Sequence, residues 1–82
     1  MSMLTRYIRA ALHQAAYEIL PGDEGFFGSI PGLEGVWANA PTLEKCREEL
    51  EDALEDWLLF RLSRQLQIPP IGGIDLNIVS AA

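Results

Sequence analysis

Two side chains with reactive chemistry occur once each, Cys46 and His13. A thiol becomes a nucleophile when a nearby base or cation draws off its proton, so a Cys–His pairing would be the simplest catalytic unit available. Cys46 instead falls on an apolar helical stripe beside Leu50, with no histidine near it in sequence, which reads as a small buried hydrophobe. His13 falls on the outer side of the first helical segment and reads as a surface residue. A single cysteine also excludes an internal disulfide and a cysteine-based zinc site. The run at residues 25–37, GFFGSIPGLEGVW, holds four glycines and a proline. It lacks the Lys and Ser or Thr of a phosphate-binding P-loop and runs into a strand, so its glycines read as turn residues. Gly28 is the exception: mid-strand, it leaves room for a packed helix or a partner backbone. The remaining chemistry is that of contact. Phe27 and Trp37 fall on one strand face together with Asn39, and large aromatics anchor binding surfaces.

The elements that must position these residues follow from periodicity. Apolar residues at Leu4, Ile8, Ala11, Leu12 and Ala15 predict a helix over 4–14, with Thr5 as its N-cap. Residues 16–20, 26–30 and 36–39 read as three short strands separated by the turns PGDEG and PGLEG, which gives an antiparallel meander. Thr42 caps a second helix whose apolar positions are Leu43, Cys46, Leu50, Ala53, Leu54, Trp57 and Leu58, ending near Gln67 ahead of Pro69-Pro70. Trp57 reads as core. Leu59, Phe60 and Leu62 widen the apolar stripe beyond one face, and so small a domain has little material to cover them; they are the expected contact between copies in a homo-oligomer, a dimer or tetramer. Residues 74–79 alternate apolar and polar side chains and are expected to join the sheet as a fourth strand. The fold class is therefore α+β, α-β-β-β-α-β in two layers, as one domain over 1–82 with a helix (1–15) added to a core at 16–79.

The chain has 82 residues and a net charge of −6, from twelve acids against six bases. Such a surface repels phosphate backbones and suits a basic protein partner, so direct nucleic-acid binding is not expected. No apolar run approaches the roughly 18 residues of a membrane span and no leader is apparent, so the chain reads as cytoplasmic with no membrane partner.

Tyr17-Glu18-Ile19, then residues 23–36 (DEGFFGSIPGLEGV), then Thr42 and a leucine-rich acidic helix, resemble the HicB-like antitoxin family. The resemblance covers residues 17–70, and its most specific part is PGLEG at 31–35 with Thr42 at the family's distance. It implies a truncated ribonuclease H-like α+β fold and a protein that binds and silences a small basic ribonuclease toxin by occluding it. The sequence departs from the family in Asn39-Ala40-Pro41, where a glycine usually precedes the cap, in Lys45-Cys46 for a Glu-Ala pair, and in the helix before the tyrosine strand. There is no room after the helix for the DNA-binding segment that many members carry. These departures leave a second expectation, a stand-alone oligomeric member of unknown ligand with no toxin partner. A third follows from the ribonuclease H comparison: Glu18, Glu48 and Asp75 could be cast as two-metal nuclease ligands. They read better as polar positions of strands and of a solvated helix face, so neither catalysis nor a bound metal or cofactor is expected.

Overall fold

The computed structural model describes residues 2–77. It contains α1 (Met3–His13), β1 (Ala16–Ile19), β2 (Phe26–Ser29), β3 (Trp37–Ala40) and α2 (Leu43–Ser63), the expected α+β order of helix, meander and long helix. The three strands form one antiparallel sheet in the order β1-β2-β3. Its register pairs Glu18 with Phe27 and Phe27 with Asn39, and Ala16 with Ser29 and Ser29 with Trp37. The Leu20 N–H donates to the Gly25 carbonyl (2.8 Å) to close the first turn. Gly25 has φ +95°, and a Cβ there would run into the carbonyl oxygen of Ala40, so glycine is required on both counts. Val36, expected to open the third strand, instead ends the preceding turn: its N–H donates to Leu33 (3.3 Å) and its side chain is buried.

Thr42 caps α2 as expected, its hydroxyl accepting from the Lys45 N–H at 3.1 Å. The cap of α1 is Ser2, whose hydroxyl accepts from Thr5 N–H (3.1 Å), so Thr5 supplies the capped amide and is not the cap. α2 packs on β3 and β2, and α1 packs on α2. Cys46, Leu50, Leu54 and Leu58 form a fully buried row at four-residue spacing, joined by Tyr7 and Ala11 of α1 and by Ile30, Leu33, Val36, Ala38, Ala40, Ile68 and Ile71. Each leucine so buried contributes about 1.5–3 kcal/mol from apolar area alone. α1 thus supplies two of the core's fully buried residues, and the hydroxyl of Tyr7 donates to the Pro69 carbonyl at 2.6 Å.

Two expectations about the second half are corrected. α2 stops at Ser63, four residues before Gln67, because Gln65 takes the left-handed conformation (φ 55°). The amides of Gln65 and Leu66 turn back onto the carbonyls of Leu62 (3.2 Å) and Arg61 (2.9 Å), a Schellman closure built without glycine. Nor do residues 74–77 join the sheet, which among the described residues has three strands. Ile74, Asp75 and Asn77 make local hydrogen bonds instead. Ile71 and Ile74 bridge each other across Gly72-Gly73, and the Asn77 amide both accepts from the Ile68 N–H (2.9 Å) and donates to the Ile68 carbonyl. Residues 78 and 79 of the expected strand lie outside the described residues. No helix among the described residues is long and apolar enough to cross a membrane.

Candidate functional site

The sheet has one face under α2 and one in solvent, and the strand register decides which side chains fall on each. Tyr17, Gly28, Ala38 and Ala40 face α2. Gly28 is the tightest point: a Cβ there would lie 2.9 Å from a Tyr17 ring carbon and 3.2 Å from Cys46 Sγ, so the expected close approach is made by these two side chains. The outer face carries Ala16, Glu18, Phe27, Ser29, Trp37 and Asn39, none of them buried.

Phe27, Trp37 and Asn39, the residues expected to make partner contact, are brought together on this outer face. Phe27 lies directly opposite Asn39, while Trp37 is its diagonal neighbour. The two rings stack with centroids 6.0 Å apart and planes 22° apart, and Trp37 is 57% exposed. Asn39 Nδ2 donates to the Phe26 carbonyl at 2.9 Å, which pins the amide beside the rings with its oxygen available as an acceptor. Glu18, on the other side of Phe27, completes the row Glu18–Phe27–Asn39. Sequence reasoning took Glu18 as a polar strand position in preference to a metal ligand and did not connect it with the aromatic pair; the β1–β2 register places it beside Phe27. The six Lys and Arg residues all lie in the two helices or at the end of the second, whereas residues 15–42, which contain the sheet, hold four acids and no base or histidine.

Leu59, Phe60 and Leu62, the expected oligomer contacts, are exposed on the last turns of α2, with Leu66, Met3 and Leu4 exposed as well. A small apolar cavity of about 150 Å³ lies between Leu4, Ile8, Leu58, Leu59 and Leu62, with Glu55 at its side. The guanidinium of Arg64 sits 5.0 Å over the Phe60 ring, and that of Arg61 4.8 Å over Trp57, which is half-buried at the margin of the core.

The reactive candidates are kept apart. Cys46 is fully buried, its Sγ 3.7 Å from the carbonyl oxygens of Phe26 and Ala38. Burial first, and the charge of Glu49 second, push its thiol pKa up, the opposite of what a nucleophile needs. His13 lines an open groove between the helices with Arg47 and Glu51. Glu18 is on the outer sheet face, Glu48 on α2 lies 3.8 Å from Lys45, and Asp75 accepts from the Asn77 backbone and amide. Among the described residues no three His, Cys, Asp or Glu side chains are grouped to hold a metal ion.

The chain is similar over 93% of its length to the whole of the chain in the crystal structure of TTHA0281 from Thermus thermophilus, at 46% identity and a TM-score of 0.87. No curated protein matches it. The UPF0150-like family model matches residues 6–69, from the middle of α1 to the first proline after α2. That span takes in the sheet, both aromatic residues of its outer face and the whole helix beneath it, and the chain belongs to the UPF0150-like family.

Proposed function

We propose that this protein is an antitoxin-type binding module, which neutralises a small basic RNA-cleaving toxin by covering it, with no turnover. The observation that carries the reading is the outer sheet face, where an exposed Trp37 stacks on a half-buried Phe27 in a segment with acids and no bases. The HicB-like features of residues 17–70 supply the class of partner. Opposite charge steers encounter with a basic protein, while buried aromatic area holds the complex. The test is co-expression with a small basic ribonuclease encoded beside it. Rescue of growth and co-purification of the pair are expected; continued toxicity with no complex on the column would overturn the reading.

A second reading, a stand-alone oligomer, is favoured by the apolar end of α2. Leu59, Phe60 and Leu62 are 62%, 52% and 41% exposed, and Leu59 and Leu62 line the small apolar cavity. Charge is also uneven along this helix, with seven acids against Lys45 and Arg47 at 44–56 and then Arg61 and Arg64 with no acid. Two copies of α2 packed antiparallel about a twofold axis would cover the leucines and set each acidic half against the other copy's arginines. Light scattering is expected to show a dimer or tetramer that Leu59→Glu dissociates; a strict monomer at all concentrations would remove this reading.

A further inference from the structure

We propose that the outer sheet face is a seat for an arginine side chain presented by a basic protein segment. This rests on the reading of that face as the contact surface, and it names the group that the face takes.

The chemistry of the row points one way. Glu18 offers a carboxylate, Asn39 offers its amide oxygen with Nδ2 turned to the Phe26 carbonyl, Phe27 lies between them, and Trp37 stacks on Phe27 from the diagonal position. The row Glu18–Phe27–Asn39 is thus rich in acceptors and π-face, and the donors beside it, the Trp37 indole N–H and the Ser29 hydroxyl, carry no charge. A ligand that fits must be cationic, rich in donors and able to lie flat on a ring. A guanidinium meets all three conditions, with five N–H donors in a plane and weak hydration; an ammonium meets the first two. Directly opposed strand residues have Cβ atoms about 4.5–5.5 Å apart, so a plane resting on Phe27 is within reach of both Glu18 and Asn39. The neighbourhood agrees: Asp23, Glu24 and Glu34, in the turns at the ends of the strands, are exposed, and no base lies in residues 15–42 to compete. The same inventory disfavours a nucleic-acid strand, whose bases could stack on the rings but whose phosphates would meet carboxylates and no cation.

The experiment reads Trp37 directly. Trp57→Phe leaves Trp37 as the remaining tryptophan of two, and the indole N–H resonance of Trp37 in the natural protein gives the same readout should that variant fold poorly. The protein is titrated with a capped arginine hexapeptide, a lysine hexapeptide of equal charge and a single-stranded oligonucleotide. Trp37 is expected to respond to the arginine peptide with a dissociation constant at least about fivefold below that of lysine, and not to the oligonucleotide. Glu18→Gln is expected to weaken the arginine peptide by about three- to tenfold, while Asp56→Asn, which makes the same change in net charge on α2, leaves it within about twofold. Equal binding of the two peptides, equal loss in the two charge variants, or a response to the oligonucleotide would each overturn the proposal. Co-purification of a basic ribonuclease with Trp37→Ala separates the two levels. If that variant loses the toxin while the peptides fail, the contact surface stands and the arginine seat falls; if it retains the toxin, the contact surface falls as well.

Discussion

The two faces of the same three strands distribute their bulk in opposite ways. Towards α2 the sheet presents Gly28, Ala38 and Ala40 between the rings of Tyr17 and Phe26, and these small residues let the helix come close enough for Cys46 Sγ to lie 3.7 Å from the backbone carbonyls of two strands. Towards solvent it presents Phe27 and Trp37. An isolated globule gains stability by placing large aromatics inward, since each buries on the order of 150–250 Å². Here the core is filled mainly from the helices, by Leu50, Leu54, Leu58 and Tyr7, with Tyr17 and Phe26 of the sheet packed against its margin, while Phe27 and Trp37 are left on the other face. The inner face is closely packed and the outer face open, and substitutions on the two should behave differently.

The largest effect is expected at the tightest point of the inner face. Gly28→Val would drive a branched side chain into the Tyr17 ring and Cys46, at 2.9 and 3.2 Å for the first added carbon alone. Overpacking of this kind costs about 2–3 kcal/mol, a large part of the stability of a domain this small. A urea titration would show it as a lowered midpoint. A variant as stable as the natural protein would break the comparison, since the inner face would then not be tight. Thr42→Ala comes next. Removing the hydroxyl that accepts from Lys45 N–H should cost about 1 kcal/mol and lower Tm by roughly 4–8 °C, because α2 is the element that makes one face inner. Asn39→Ala, which lies on the outer face near the same end of β3, serves as its contrast and should lower Tm by clearly less.

A third effect is confined to alkaline solution. Burial raises the pKa of Cys46 above 9.0 and, as the largest cause, those of Tyr7 and Tyr17 above 10.0. For each group the folded state holds its proton where the unfolded chain has released it. The stabilisation is fully present below the ordinary values and is lost as pH rises through the folded ones. The urea midpoint should therefore be flat from neutrality to about pH 8.5 and fall beyond it. Cys46→Ala should make the first part of that fall shallower, and an unchanged profile would show that the thiol titrates as if exposed. The hydroxyl of Tyr17 is buried with no hydrogen-bond partner, so Tyr17→Phe removes an orphaned polar group and should raise stability by up to about 1 kcal/mol.

The meander, the Thr42 cap and the α2 stripe were legible because each has a local signal: period-two alternation, Pro-Gly turns, a threonine before an apolar period. So was the assignment of Phe27, Trp37 and Asn39 to one face, which needs only strand parity. Other features depend on contacts far apart in sequence. Tyr7 is fully buried because its hydroxyl meets the carbonyl of Pro69, 62 residues away, and nothing near Tyr7 announces that partner. The end of α2 was misplaced because its left-handed C′ residue is Gln65, where glycine is the usual mark. Residues 74–77 alternate like a strand, yet the Gly72-Gly73 turn and the Asn77 clamp on Ile68 satisfy their neighbours without the sheet. Glu18 was legible as a polar strand position, while its place beside Phe27 follows from the hairpin register and not from the residue itself.

The smallest effect on stability should come from the most conspicuous residue. Trp37 is 57% exposed and its main contact is the stack on Phe27, so Trp37→Ala removes a surface aromatic pair and little core. Exposed cross-strand aromatic pairs contribute about 0.2–1 kcal/mol, and the midpoint of urea unfolding should shift by an amount near the error of the measurement. A double-mutant cycle with Phe27→Ala should return a coupling in that same range. The comparison of faces turns on this result. If Trp37→Ala destabilised the protein as much as Gly28→Val, the outer aromatics would be holding the fold together and their exposure would need no partner to account for it. A small loss of stability joined to a large loss of complex would instead mean that the two rings act on another molecule, because binding energy concentrates in a few aromatic anchors that the free protein can spare.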